Sequence, residues 1–207
     1  MTERIRAVID AVGTPPERFS ISGEPYMMLT LTESMRSDLG LLIPVVLAVM
    51  CLVLFLSFRS LRGIVLPVVV VALSIIWTFG PMGLLGIRVS VITFALPVLL
   101  LAIGIAYGIH VLNRVQEELL AGKPKRQALL EAITGISAAV AMAGLTTAAG
   151  FLSLMTASLP LIRQFGVLAA VGVLLAMLSA LVVLPALLAV LPLPKQRARA
   201  RRRGKMG

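Results

Sequence analysis

The sequence predicts an all-α membrane protein: a five-helix transmembrane bundle with a short α/β extracytoplasmic stub at its N-terminus. Three observations predict it. Hydrophobic residues make up 59% of the 207 and charged residues only 14%, with a mean hydropathy of +1.03. That is more apolar surface than a water-solvated core can hide. Five stretches carry no charged side chain: Leu39–Phe58, Gly63–Ile87, Val89–Asn113, Ala132–Ile162 and Gln164–Pro194. Each reaches the roughly 20 residues needed to cross ~30 Å of hydrocarbon. Lysine and arginine, finally, crowd onto one side of those stretches.

The first element is the stub, residues 1–38. Ile5, Val8, Ile9 and Val12 space as a short amphipathic helix. Residues Phe19 to Ser22 alternate like a strand, Gly23, Glu24 and Pro25 turn, and Tyr26 to Leu39 lead into the first span. Fewer than 40 residues cannot close a core of their own, and they carry none of the marks of a signal peptide. The expectation is a remnant of a larger extracytoplasmic domain, with the chain the C-terminal part of a longer polypeptide or a gene shortened to it.

The bundle occupies residues 39–193, with spans at 39–58, 63–85, 89–113, 132–157 and 160–191. Pro44, Pro67 and Pro160 fall near predicted helix starts, where a missing N–H costs little. Pro97 and Pro185 fall inside spans and are expected to kink or locally open them. From Ala138 to Gly150 the fourth span is almost entirely small residues. Small side chains let helix backbones approach where lipid competes equally for apolar contact, so this helix is expected at the centre. Gly104 and Gly108 on the third span are the expected surface to meet it. Thr146, Thr147 and Gly150 complete the candidate packing or substrate groove. Arg114 to Arg126 is read as a polar elbow along the membrane surface.

Residues 194–207 form a basic tail. Thirteen of the 19 Lys and Arg, from Arg59 to the tail, lie on one side of the predicted topology and six on the other. An excess of positive charge marks the cytoplasmic side, so the N-terminus is expected outside and the C-terminus in the cytoplasm of a bacterial or archaeal cell. The nine acidic residues divide three and six between the same sides. The net charge of +10 is then topology, with no nucleic acid needed as a partner. The tail either touches anionic headgroups, at roughly 1 kcal/mol per basic residue near the surface, or is a solvated flank.

The single cysteine, Cys51, lies in an apolar span, which leaves no disulfide framework, metal-ligand set or cofactor site. No Ser/His/Asp set shares a face and no glycine loop is shaped for phosphate, so an enzyme is not expected. The chemistry-bearing stretch is GIAYGIHVLNRVQEEL, Gly104 to Leu119, which holds Tyr107 and the one histidine, His110, three residues apart. Two readings stand for His110: a proton carrier, since its ordinary pKa of about 6.5 suits the task, or an interfacial side chain with its tip in the headgroups. Glu117 and Glu118 are read as partners of Arg114 at helical spacing. Thr146 and Thr147 either face a partner or bond to their own helix's carbonyls.

Three segments together resemble one half of a resistance-nodulation-division (RND) transporter of the MMPL/Patched, sterol-sensing-domain-like type: GIAYGIHVLNRVQEELLAG, GISAAVAMAGLTTAAGFLSL and FGVLAAVGVLLAMLSALVVLPALL. The lead-in ISGEPYMMLTLTESMRSDL resembles the end of that family's porter domain. The resemblance implies helices two to six of a six-helix repeat, export of lipids or other hydrophobic compounds, and in many members proton coupling. It also implies an Asp-Tyr pair in the third span, where this chain has Ala106 and Tyr107. All nine acids lie outside the charge-free runs, and Tyr107 and His110 are the remaining proton-relay candidates. The leading expectation is therefore a half-transporter that takes its coupling carboxylate from a second RND half or a homo-oligomer. A non-transporting lipid-sensing or scaffold module, and an inactive truncated remnant, are the alternatives.

Overall fold

The computed structural model describes residues 24–58, 61–84, 86, 90 and 92–191. Five helical stretches among them are long and apolar enough to cross a membrane. In order they are α1 (Glu24–Phe58), α2 (Leu61–Leu84), a 3₁₀ turn (Ile92–Ala95) leading into α3 (Leu96–Leu120), α4 (Lys125–Leu152) with a closing 3₁₀ turn (Ser153–Thr156), and a last span. That span comprises α5 (Pro160–Leu178), a π-turn (Ser179–Val183) and α6 (Leu184–Val190). The helices run up and down, so Phe58, Leu61, residues 121–124 and Leu191 share one end, here the basic end. Leu84, Ile92 and residues 157–159 share the far end.

The stub is corrected. No strand occurs among the described residues, and Glu24 to Leu39 is not a turn and lead-in but the opening of α1, which runs unbroken to Phe58. Proline at Pro25 falls in the first turn, where no helical N–H is needed, and the polar residues that follow are compatible with helix once a membrane segment continues it. The helix expected at 5–12, the strand at 19–22 and the basic tail lie outside the described residues.

The other boundaries shift for the same reason: charged residues end a hydrophobic run without ending a helix. α3 continues through Arg114, Glu117 and Glu118 to Leu120, and α4 begins at Lys125. The expected surface elbow shrinks to Ala121–Pro124. There Gly122 takes φ +83° and its N–H bonds to the Leu119 carbonyl at 3.1 Å, a left-handed helix stop that side chains disfavour. Proline placement is corrected too. Pro44 and Pro67 sit inside helices, not at their starts; the residue four positions before each is a glycine, Gly40 and Gly63, which eases the crowding around the ring. Pro97 falls at the start of α3, after the 3₁₀ turn, and so kinks nothing.

Packing overturns the expected centre. The small-residue helix is 28% buried over its most apolar window, against 50% for the last span and 44% for the third. Gly104 and Gly108 do not meet it either. A Cβ on Gly104 would stand 2.7 Å from a Val71 methyl, and one on Gly108 3.0 Å from Pro67, so the glycine pair receives α2. The small-residue helix has more than one smooth side and uses only one: Val140, Gly144 and Ala148 are buried, while Met142, Leu145, Thr146 and Gly150 are exposed. The last span packs into α3 through Gly172, against Leu100, and into the far end of α4 through Gly166, against the Phe151 carbonyl and Leu154. Phe151 and Phe165 meet edge to face there, centroids 6.1 Å apart. Leu54, Leu101, Ile105, Val111 and Leu184 form the main apolar cluster.

Gly166→Ala places a methyl 2.6 Å from a backbone carbonyl that cannot swing aside, whereas Gly80→Ala meets nothing within 4 Å. In detergent melts Gly166→Ala is expected to lose about 1–3 kcal/mol, Gly104→Ala less because it meets a side-chain methyl rather than backbone, and Gly80→Ala nothing. Equal melting of all three would refute the close approaches.

Candidate functional site

The third span distributes its side chains to three directions. Gly104 and Gly108 close on α2. Tyr107, 7% exposed, turns toward α4 and the last span among Val140, Met177 and Ala180, and its hydroxyl meets the side chain of Thr147. Thr147 donates to the Ala143 carbonyl at 2.7 Å, so its oxygen is free to accept from the tyrosine. His110 is exposed. Gly104, Tyr107 and His110 thus do not share one environment, although each is three residues from the next. A three-residue step falls ~60° short of a turn of 3.6 residues, so two steps carry His110 ~120° away from Gly104.

His110 belongs instead to an exposed stripe with Ala102, Ala106, Asn113 and Glu117, spaced four, four, three and four residues apart as one helical face requires. Ala106 lies in its middle. The position at which the resembling carriers hold an aspartate therefore points out of this five-helix bundle, away from Tyr107. Of the remaining candidates, Thr146 is exposed and donates to Met142 and Ala143 carbonyls at 2.8 and 3.0 Å. Gly150 is exposed with nothing within 4 Å of a built Cβ. Gly104, Gly108, Thr146, Thr147 and Gly150 do not converge on one groove. Among the described residues no three His, Cys, Asp or Glu side chains stand together as metal ligands would.

An open apolar groove of about 570 Å³ meets the stripe at Ala102 and lies between the first half of α1 and the start of the third span. Leu39, Leu42, Phe94, Val98 and Ala102 line it, with Asp38 as its one charged residue. The sequence carried no local signal for it, because its walls come from segments some 60 positions apart that each read only as apolar.

The basic end holds the densest polar network. Arg114 reaches Glu117 at 3.0 Å and Glu118 at 2.6 Å, as the helical spacing predicts, and its guanidinium lies over Gly135 of α4. Glu118 is nearly buried, its side chain 8% exposed, and holds Lys123 on its other oxygen; Lys123 also pairs with Glu131. Gln127 donates to Glu131 at 2.8 Å. Lys125 donates to the carbonyls of Ala189 and Leu191 at 2.6 and 2.9 Å, supplying donors to a helix end that has run out of its own. These contacts fasten the third span to α4 and α4 to the last span.

Hydrogen bonds donated first to Glu118 and then to Glu131 hold the Lys123 ammonium above the usual lysine pKa, with burial opposing. A raised folded pKa means stabilisation that is complete below the unfolded lysine value, about 10.4, and is lost as pH rises through the folded one. The melting temperature of the purified protein is thus expected to drop on going to strongly alkaline pH. Lys123→Met should start lower and drop less; an identical alkaline profile in the variant would contradict the network.

A family model described as MMPL family matches residues 1–206. A chain named as a membrane protein in Methanocaldococcus jannaschii is 38% identical over 92 residues, 44% of this chain and 24% of that one. The membrane protein YdfJ of Bacillus subtilis is 29% identical over 90 residues, 44% of this chain and 12% of its own length. A chain named as a membrane protein in Streptomyces coelicolor is 37% identical over 78 residues, 38% of this chain and 9% of that one. Each match thus covers a quarter or less of the relative.

Proposed function

The chain belongs to the MMPL family, and from that premise we propose that it is the membrane part of an RND-type exporter of lipids or other hydrophobic compounds, working with a second half. The observation that carries the reading is the exposed stripe Ala102, Ala106, His110 and Asn113. A histidine and an asparagine in a membrane-spanning helix are costly against lipid and normally face protein or water. Here they follow, one and two turns on, the position where a carboxylate is missing, on a face that the five helices leave open. A second half, either a different RND repeat or another copy of this chain, covers that face and presents the acid. In the two-half arrangement common among transporters, the coupling site lies at the interface between repeats. Tyr107 stays within its own bundle, and His110 is the relay candidate on the shared face. The lysine and arginine bias supports a place in the cell membrane with the basic end in the cytoplasm.

The apolar groove with Asp38 at its wall favours a second reading, a module that binds a lipid without moving it. Flux separates the two. In proteoliposomes containing both halves, a fluorescent lipid analogue is expected to move only while a pH gradient is maintained, and His110→Ala should weaken that dependence. Unchanged gradient dependence in His110→Ala would remove the histidine from the mechanism. Saturable lipid binding with no flux under any gradient would refute export and leave the binding module.

A further inference from the structure

The last span carries a feature that neither the apolar packing nor the polar stripe explains. Between α5 and α6 the helix widens into a π-turn, Ser179–Val183, and the Leu184 N–H bonds to the Ser179 carbonyl five residues back. In an α-helix that N–H would take the Ala180 carbonyl. Pro185 follows and has no N–H to give to the carbonyls behind it. Inside this widened turn lies the one buried side-chain polar atom among the described residues that has no hydrogen-bond partner, the Ser179 hydroxyl. Ser179 is wholly buried. The other fully buried hydroxyls are all satisfied: Ser74 donates to Val70, Thr78 to Ser74, and Thr93 pairs with Ser90.

A buried hydroxyl without a partner costs about 1–3 kcal/mol, and in a membrane interior no bulk water relieves it. Its ordinary remedy lies close by. Serine in a helix commonly donates to the carbonyl four residues back, and doing so bends the helix. For Ser179 that acceptor is the Leu175 carbonyl, which here receives the Ser179 backbone N–H, shared with Ala176. The two sides of the π-turn are anchored at opposite ends of the same two neighbours, the third span and α4. α5 is locked through Gly172 on Leu100 and Gly166 on the Phe151 carbonyl. α6 is held by Leu184 and Leu188 in the main core and by Lys125 on the Ala189 and Leu191 carbonyls.

We infer that Ser179–Pro185 is a two-state hinge: in the state described here the serine hydroxyl is unbonded, and in the other it bonds to the Leu175 carbonyl and changes the angle between α5 and α6. π-turns in membrane and soluble helices recur where function needs such a joint. The hinge does not depend on the identity of any substrate, and it gives the bundle a joint that export or lipid sensing could each use.

The test uses the full chain in lipid nanodiscs, with Cys51→Ser and spin labels at the exposed positions Val167 and Val190, roughly 35 Å apart at 1.5 Å per residue. Pulsed-EPR distances are expected to fall into two populations. Ser179→Ala, which removes only an unbonded hydroxyl and so should melt no lower than the parent, is expected to leave one population; Pro185→Ala should do the same by restoring the α-register. A single population in the parent, or two that persist unchanged in Ser179→Ala, would overturn the hinge. A Ser179→Ala protein that melts well below the parent would also overturn it, by showing that the hydroxyl is bonded.

Discussion

The arrangement depends on one contact, the seating of α2 on the glycine pair of the third span. Lipid offers apolar side chains as good a solvent as other helices do, so helix association in a membrane rests on how closely backbones approach. Gly104 and Gly108, one turn apart, let Val71 and Pro67 come so close that a larger residue would have to push them back. Once α2 occupies that face, the helical period fixes the rest. Tyr107 must turn toward α4 and the last span, and Ala106 with His110 must face outward. The position where a coupling acid would sit is thereby presented to whatever lies outside the five helices.

The basic end and the π-turn complete the same design. Polar groups that would be costly in hydrocarbon are gathered where the third span, α4 and the last span end, with Glu118 enclosed between Arg114 and Lys123 and Lys125 closing off the last helix. Bonds of this kind hold the basic ends of the helices at a set distance. The unbonded Ser179 lies further along the last span, between that end and the glycine contacts that lock α5. Rigidity is thus concentrated on either side of the π-turn and adaptability within it.

Much of this was legible in the sequence and some was not. Charge-free runs located five spans because hydrocarbon tolerates little charge, and Pro185 marked the place where the last span opens. Helix ends were misjudged wherever charges continued a helix instead of stopping it, at Glu24–Asp38 and at Arg114–Leu120. The pairing of Arg114 with Glu117 and Glu118 was readable because it is local. The glycine face was assigned to the wrong neighbour, since small residues on two helices show that each can be approached closely but not which helix approaches. The Lys125 clamp and the groove beside Asp38 join segments some 60 residues apart, and no single-sequence pattern links them.

The central claim is that the Ala106–His110 face is covered by a second protein half in the membrane, and oxygen accessibility tests it directly. A spin label at Ala106, measured in membranes of the cell that makes the protein, is predicted to be shielded from lipid-dissolved oxygen as strongly as a label in a packed core. A label at Val171, on the exposed face of the last span, provides the lipid-facing reference. Accessibility at Ala106 equal to that at Val171 would contradict the account.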